Sequence, residues 1–328
     1  MKNPLMAPWS GPYGGVPPFD QVKVVDFKPA FEAAMAQELA EIEAIASSAA
    51  PPDFDNTIAA MERCGRMHDR VQSVYNVFAG TMSSDDFQEV EREIEPKLAG
   101  FRDRIVQDER LFKRIEAAYE SRESAGLTPE QSRLTWLRYQ HFARSGARLA
   151  PDAKKRLSEI NQQLASLYTQ FSQNVLADEK SAIVLTREDE LAGLPDSFRE
   201  AAGQAAEERG EKGWAILNTR SSVEPFLTYS ERRDLREKVW RAFVSRGDNG
   251  DGTDNKGIIE RIVRLRSDRA KLLGYPSHAH WRVEMSMAKT PERAMQLMEA
   301  VWKPAVSRVA EEVTDMQAIA DRDGAAIT

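Results

Sequence analysis

Histidine and cysteine are the side chains from which a catalytic or metal centre would most readily be built, and this sequence contains few of them. Among its four histidines, only His278 and His280 lie close together. Residues two apart do not share a helix face, and the flanking sequence predicts a helix, so we interpret the pair as structural rather than as metal ligands. The sequence contains no HExxH motif and no Glu-x-x-His pair, the spacings that put two ligands on one helix face.

The acidic segment DNGDGTDN (248–255) suggests calcium binding, but its spacing does not fit. Counted from the first aspartate, glycines stand at the third and fifth positions, where an EF-hand loop requires oxygen ligands. Counted from Asp251, Lys256 stands at the sixth position, where glycine is required. We therefore predict a turn followed by a helix that begins near Gly257. The residues that could cap this helix are Thr253, Asp254 and Asn255.

For the other candidate residues, the neighbouring sequence contains no group that would support a chemical role. Cys64 lies in a helical pattern and is interpreted as a small buried residue. The glycine-rich segment GPYGG (11–15) has no helix after it that could help to bind a phosphate, and Ser221 and Ser222 have no neighbouring base. Walker A, GxGxxG and GxSxG motifs are absent. The sequence therefore identifies no catalytic, cofactor-binding or metal-binding residue.

Apolar residues recur at spacings of three and four along most of the chain, which predicts a mainly α fold. The first predicted helix begins near Phe27 and ends before Pro51, since proline cannot continue a helix. The second is predicted to start at a cap provided by Asp55 or Asn56 and to run through Phe78 without a break.

Two later helix starts carry a capping residue followed by proline. Thr128 and Gln131 have the spacing of a capping box, and Thr290 repeats the cap before Pro291. The last helix is predicted to run from Pro291 toward Asp323 with an interruption at Pro304. The methionines near its start are interpreted as core filling; they are Met285, Met287, Met295 and Met298.

Two short apolar segments depart from the helical period and predict a small two-stranded β element at about 181–186 and 214–219. We expect three parts: an ordered N-terminal arm at 1–20, a helical N-terminal lobe at 21–180, and a hairpin-like insertion with further helices at 181–328. The arm is rich in proline and glycine, which excludes a long helix there.

Composition restricts the function classes. The chain has 45 basic and 52 acidic residues and a net charge of −7, which argues against nucleic acid as the main partner. No apolar run reaches the roughly 20 residues needed to span a bilayer, and the N-terminus lacks the apolar stretch of a secretory signal. A single cysteine fits a reducing compartment. We therefore expect a cytoplasmic protein without a membrane or nucleic-acid partner.

Several stretches, taken in order, resemble the N-terminal portion of the thimet oligopeptidase, oligopeptidase A and peptidyl-dipeptidase family of zinc metallopeptidases. They cover almost the whole chain. They are NPLMAPW (3–9), PPFDQVK (17–23), FDNTIAAMER (54–63), RLSEINQQLASLYTQFSQNVLADE (156–179), DELAGLP (189–195), SSVEPFLTYSERRDLREKVWRAFVSRG (221–247), LLGYPSHAHW (272–281) and MAKTPERAMQLM (287–298). The segments SSVEPFLTYSERR and RSGARL (144–149) are more similar to the sequences of peptidyl-dipeptidases than to that of oligopeptidase A.

The resemblance implies a mostly helical, two-lobed fold with a deep peptide cleft, and a zinc ion held by an HExxH helix and a further glutamate. None of these zinc-binding residues occurs in the sequence, so no catalytic or metal residue can be assigned. We expect the chain to be an N-terminal, non-catalytic fragment that forms a cleft wall and scaffold, inactive and zinc-free alone. The full-length enzyme would release C-terminal dipeptides from oligopeptides.

Two alternatives remain open: an oligopeptidase that cuts short peptides internally, and a stand-alone helical scaffold that binds peptides or proteins without catalysis. The expected partners are short unfolded peptides and the missing C-terminal catalytic domain. Helices that normally pack on that domain would expose more apolar surface than the roughly 300–600 Å² patch of a typical monomer. Self-association through that surface, or partial disorder near the C-terminal end, is therefore expected.

Overall fold

The computed structural model describes residues 3–322 and Gly324. Most of them lie in α-helices, and two strands form one antiparallel sheet within this described part. The helices are α1 Val24–Ala46, α2 Ala59–Arg63, α3 Arg66–Thr81, α4 Asp85–Val106, α5 Glu109–Glu120, α6 Pro129–Arg144, α7 Pro151–Glu179, α8 Asp196–Glu208, α9 Arg220–Tyr229, α10 Arg233–Val244, α11 Lys256–Leu272, α12 His278–Val283 and α13 Pro291–Arg322. The strands are β1 Ala182–Leu185 and β2 Trp214–Leu217. The predicted fold class, mainly α with a small two-stranded β element, is confirmed.

The described part of the N-terminal segment contains two short 3₁₀ turns, Pro4–Met6 and Pro12–Gly14, and no α-helix. Leu5 is buried and packs in the first core cluster, with Trp9 half-buried beside it. Tyr13 has a positive φ of 57° and is fully exposed. The segment therefore contacts the helices through Leu5 and Trp9 and displays Tyr13 to solvent.

An aromatic cluster joins α1, α3 and α4. The Phe27 ring lies 5.0 Å from the Phe78 ring and 5.4 Å from the Phe87 ring, each in an edge-to-face arrangement. Phe31 meets Tyr75 at 5.2 Å in the same way. All five side chains are buried. Edge-to-face pairs bring the positive edge of one ring to the negative face of the other. Each pair stabilises the fold by about 0.5–1.5 kcal/mol in addition to the burial of the rings.

A second cluster packs α5 and α6 against the C-terminal end of α1, and it contains a buried cation. The Arg114 guanidinium donates to the carbonyl oxygens of Ser48 and Ala50, both at 2.9 Å. It also donates to Asn56 Oδ1 at 2.8 Å and to Thr57 Oγ1 at 3.3 Å. Within the described residues no carboxylate lies within 4 Å of it, so neutral oxygens solvate this charge. Arg114 thereby fixes the connection between α1 and α2.

The helix predicted from Asp55 or Asn56 through Phe78 is divided in the structure. Gly65 has a φ of +74°, so α2 ends before it and α3 begins after it. A Cβ at this position would lie 2.8 Å from the Glu38 carboxyl carbon, so a side chain here would require the Glu38 carboxylate to move. The predicted cap was also wrong: Asp53 caps the turn that precedes α2, accepting from the Asn56 amide at 2.7 Å, and Asn56 Oδ1 accepts from the Asp53 amide at 3.1 Å.

The two strands and α8–α10 enclose a third apolar cluster, which includes Leu185, Ile216 and Phe226. Gly213 leads into β2 with a φ of +107°, and a Cβ there would overlap the carbonyl oxygen of Leu185 on β1. The close approach of the strands at this point therefore depends on glycine. Gly210, in the same connection, has a φ of +70° but open space around it.

We expect Gly213→Ala to lower the free energy of unfolding by about 3 kcal/mol, because it combines a strained φ with overlap against β1. Gly210→Ala is the matched control, because alanine there would have the same strained positive φ without the overlap. It should lower the free energy of unfolding by about 1 kcal/mol. Urea unfolding followed by circular dichroism measures both changes. Equal losses for the two variants would show that the close approach of Gly213 to Leu185 is unimportant.

The chain forms two compact units, residues 1–265 and 266–328. The expected boundaries at 20/21 and 180/181 stay a prediction.

In the second unit, α13 continues through Pro304 without the predicted interruption. A proline inside a helix removes one backbone donor, and α13 nevertheless remains helical on both sides of Pro304. Helices able to cross a membrane by length and apolar character are absent from the described residues.

One face of α13 carries a long apolar row that is exposed along its length. Its members recur at spacings of three and four; they are Met295, Met298, Trp302, Val306, Val309, Val313 and Met316. Trp302 is 71% exposed, and none of the described α13 residues is buried. The interpretation of Met287, Met295 and Met298 as core filling is therefore wrong for this chain, because their surfaces are uncovered.

Candidate functional site

The histidine pair lies on α12, as the sequence predicted, and its two rings have different neighbours. The His278 ring lies 5.6 Å from the Trp281 ring, and burial, followed by the nearby Arg269, lowers the pKa of His278. His280 Nδ1 lies 2.8 Å from Ser277 Oγ, the residue that caps α12. The helix thus directs the two imidazoles to separate surroundings instead of to one metal ion.

Cys64 lies at the C-terminal end of α2 and is half-buried. Burial, with a smaller contribution from Glu41, raises the pKa of its thiol to about 11. A thiol with a raised pKa holds little thiolate at neutral pH, so Cys64 is poorly suited to nucleophilic chemistry.

Nearby, His68 Nδ1 lies 3.1 Å from Glu38 Oε2, between the rings of Phe31 and Phe101.

The acidic loop after α10 is a turn, as predicted, and α11 begins at Lys256, one residue before Gly257. Of the three predicted capping candidates, Asn255 stands at the N-cap position, since its carbonyl accepts from the Ile259 amide at 2.8 Å. Asp254 Oδ1 accepts from the Lys256 amide at 2.8 Å, in the turn that leads into α11. The Lys256 ammonium also pairs with Asp254 at 2.8 Å. The Lys256 ammonium thus pairs with the acidic turn that precedes α11.

Asp178, at the end of α7, anchors the same loop. Its carboxylate accepts from the Gly247 amide at 2.6 Å, from Asn249 Nδ2 at 3.0 Å and from Thr253 Oγ1 at 3.0 Å. Asn255 is buried and donates to the Phe171 carbonyl at 3.1 Å. The sequence analysis missed this anchor, because its bonds join residues about 70 positions apart.

A zinc ion takes three or four His, Cys or carboxylate ligands in a protein. Across residues 3–322 and Gly324, no group of three such side chains is arranged to hold a metal. The described residues therefore do not fit a zinc centre, and no reaction step can be derived from them.

The most distinctive polar arrangement lies where the sheet meets α9 and α10. A cavity of about 40 Å³ is lined by Ser181, Ala182, Ile183, Ile216, Leu217, Asn218, Val223, Val239 and Ala242. Asn218 is buried, and its Nδ2 donates to the carbonyl oxygens of Asp178 and Ala242, both at 3.2 Å. Its Oδ1 is buried and has no hydrogen-bond partner in the described structure. A buried acceptor of this kind costs about 1–3 kcal/mol unless a donor reaches it.

The backbone of β1 has a free edge beside this cavity. The Asn218 amide donates to the Ser181 carbonyl at 3.2 Å, so Ser181, Ile183 and Leu185 direct their backbone groups toward β2. Ala182 and Val184 consequently direct their N–H and C=O groups outward, and these groups bond to no other described residue. The outer edge of β2 differs, because the Leu217 amide donates to Ser222 Oγ at 3.0 Å. Of the described elements, only β2 packs extensively along β1.

Residues 226–326 match the model of peptidase family M3. The chain is 35% identical over 322 residues to the dipeptidyl carboxypeptidase of Escherichia coli (strain K12), an alignment that covers 98% of this chain and 47% of that protein.

Oligopeptidases A are also similar. The probable cytosolic oligopeptidase A of Arabidopsis thaliana is 31% identical over 340 residues, covering 99% of this chain and 46% of that protein. Oligopeptidase A of Escherichia coli (strain K12) is 27% identical over 325 residues, covering 98% and 47%. The chain thus spans about half the length of the relatives it matches.

The family match and the alignments over nearly the whole chain agree with the resemblance seen in the separate motifs. The chain is similar to members of peptidase family M3, and it is more similar to the dipeptidyl carboxypeptidase than to these oligopeptidases A.

Proposed function

We propose that this chain is the N-terminal, non-catalytic portion of a zinc-dependent peptidyl-dipeptidase that releases C-terminal dipeptides from oligopeptides. The observation that carries the proposal is the 35% identity to a dipeptidyl carboxypeptidase over 98% of the chain. The corresponding identity to the oligopeptidases A of bacteria is 27–28% over a similar length. The chain's role in such an enzyme would be to form a wall of the peptide cleft and a scaffold for the catalytic domain.

Zinc would be the cofactor of the full-length enzyme, where it would activate water for hydrolysis. Because the described residues do not fit a zinc centre, we propose that the ligands belong to the other half of the enzyme. This chain would accordingly contribute binding and positioning of the peptide and no reacting group.

The exposed apolar face of α13 supports a protein partner. We propose that the catalytic domain covers this face in the full-length enzyme, since a row of seven large apolar side chains is costly to leave in water. In the 328-residue chain the same face would be free to associate with a second copy.

We also propose a cytoplasmic location, which the single cysteine and the name of the probable cytosolic relative support.

Two other functions remain as alternatives. Internal cleavage of short peptides is favoured by the 31% identity to the Arabidopsis oligopeptidase A, which is close to the 35% of the dipeptidyl carboxypeptidase. A helical scaffold that binds peptides without catalysis is favoured by the lack of a metal-binding cluster in the described residues. Product analysis separates all three functions.

We expect the 328-residue chain to leave a nonapeptide uncut with zinc present, because the sequence has no HExxH motif. The protein from the complete reading frame should release C-terminal dipeptides in steps. Mass spectrometry of the products, with metal analysis of each protein, makes the measurement, and a chelator-treated sample is the control. Zinc-dependent cleavage by the pure chain would contradict the non-catalytic role, and internal fragments from the complete protein would favour the oligopeptidase alternative.

A further inference from the structure

The turn 247–255, between α10 and α11, contains the dipeptide Asn249-Gly250, whose chemistry is that of a modification site. In deamidation, the backbone nitrogen of the next residue attacks the side-chain carbonyl carbon of an asparagine and closes a succinimide ring. Glycine has no Cβ to hinder this attack, and among the asparagines of the sequence only Asn249 precedes glycine. We propose that Asn249 is a deamidation site, and that its conversion to aspartate or isoaspartate releases the turn 247–255 from α7.

The structure leaves this dipeptide accessible. Asn249 and Gly250 are exposed and lie outside any helix or strand. Gly250 has a φ of +69°, and no described atom beyond the adjacent residues lies within 4 Å of the place where a Cβ would stand. Asn56 and Asn174, in contrast, lie in helical segments and precede residues that are branched at Cβ, and Asn218 is buried. Asn249 therefore combines the least hindered nucleophile with open surroundings.

The first step needs an acceptor for the proton of the attacking nitrogen, and Asp254 lies in that position. The Gly250 N–H donates to Asp254 Oδ2 at 2.8 Å. The Gly250 nitrogen gives its proton to this carboxylate and forms a bond to Asn249 Cγ. The bond from Cγ to Nδ2 breaks, and this nitrogen takes up one proton and leaves as ammonia.

Water opens the succinimide in the second step. Attack of water at Cγ gives aspartate, whereas attack at the main-chain carbonyl of residue 249 gives isoaspartate. The complete reaction consumes one water molecule and releases one ammonia molecule. It therefore needs no oxidant, reductant or further reactant.

The product would weaken the anchor that Asp178 provides. Asn249 Nδ2 donates to Asp178 Oδ2 at 3.0 Å, and the same oxygen accepts from the Gly247 amide at 2.6 Å. A carboxylate at position 249 has no donor for this oxygen and adds a second negative charge beside it, so the two groups repel. Lys256 already pairs with Asp248 and Asp254, and it is engaged in the turn. We therefore expect deamidation to separate the turn from the end of α7.

The first arm of the test measures the reaction. The 328-residue chain is incubated at neutral pH in isotopically labelled water, and peptide mapping by mass spectrometry follows uptake of the label at each asparagine. We expect Asn249 to be converted about tenfold faster than Asn56 or Asn174. Gly250→Ala should slow the conversion about tenfold, because a methyl group beside the attacking nitrogen hinders ring closure. Gly252→Ala is the matched control in the same turn, also with open space around it, and should leave the rate unchanged.

The second arm measures the consequence without the reaction. Asn249→Asp reproduces one product, and Asn249→Ala removes the donor without adding a charge. Trypsin reports opening of the turn, because Arg246 and Lys256 flank its centre and cleavage follows the population of the open form. We expect cleavage at these two residues to be about tenfold faster in Asn249→Asp than in the parent chain, and Asn249→Ala to lie between them.

Exchange of the two groups tests the contact directly. Asp178→Asn combined with Asn249→Asp places a donor opposite an acceptor again, so trypsin should cleave the double variant more slowly than Asn249→Asp alone. Conversion of Asn249 no faster than that of the other asparagines, or equal rates for the two glycine variants, would overturn the site. Equal cleavage of Asn249→Asp and Asn249→Ala, or an unslowed double variant, would overturn the release of the turn by charge. These measurements do not use peptidase activity, so they leave the proposed function to its own test.

Discussion

Replacing Arg114 with alanine is expected to lower the free energy of unfolding by about 4 kcal/mol. The guanidinium is buried on α5 and donates to two main-chain carbonyls in the connection that follows α1. It also donates to Asn56 and Thr57 at the turn that leads into α2. Alanine leaves these acceptors without a donor and opens a cavity in the second core cluster, and both effects destabilise the folded chain.

Arg110 provides the matched control for this prediction. It lies one helical turn before Arg114 on α5 and makes a bidentate ion pair with Glu43 on α1, at 2.8 and 2.6 Å. Both members of this pair are exposed. Water and salt screen such pairs, so Arg110→Ala should change the stability far less than Arg114→Ala despite the shorter contacts. Urea unfolding at low and high salt measures the two variants. A loss for Arg110→Ala as large as that for Arg114→Ala would contradict the assignment of the stabilising role to burial.

Local signals in the sequence predicted local structure well. Thr128 and Gln131 make the predicted capping box, with Gln131 Oε1 accepting from the Thr128 amide at 2.9 Å and Thr128 Oγ1 accepting from the Gln131 amide at 3.3 Å. Thr290 caps α13 in the predicted way, accepting from the Arg293 amide at 3.3 Å. These contacts span three residues, so the sequence pattern contains all the groups involved.

Features that depend on distant residues could not be predicted in this way. At the break, the Gly65 amide donates to Glu41 on α1 at 2.8 Å, and Cys64-Gly65 alone does not distinguish a break from a tolerated glycine. The Asp178 anchor joins α7 to a loop about 70 residues later. Asn218 and the edge of β1 depend on which strand groups face outward, which follows from the register and not from composition.

Charged substitutions on the apolar face of α13 are expected to convert the 328-residue chain from a self-associating species to a monomer of 36.9 kDa. Trp302→Glu combined with Val309→Lys places two charges in the middle of the row, seven residues apart on the same face. Burying a charge in an interface without a partner is costly, so association should weaken by at least 100-fold. Size-exclusion chromatography with multi-angle light scattering over a concentration series measures the change.

The control carries the same charges on the same helix. Ser307→Glu with Thr314→Lys moves each charge five residues along α13, which turns it by about 140° from the apolar face. Both replacements are good helix formers, so helix content should not fall. If the apolar row drives association, this control should associate as strongly as the parent chain does. The complete protein should be monomeric without any substitution, because we propose that its catalytic domain covers the row. A parent chain that is monomeric at about 100 µM, a concentration where micromolar association is nearly complete, would contradict this account of the face. Equal dissociation of both variants would show that association does not depend on the apolar row.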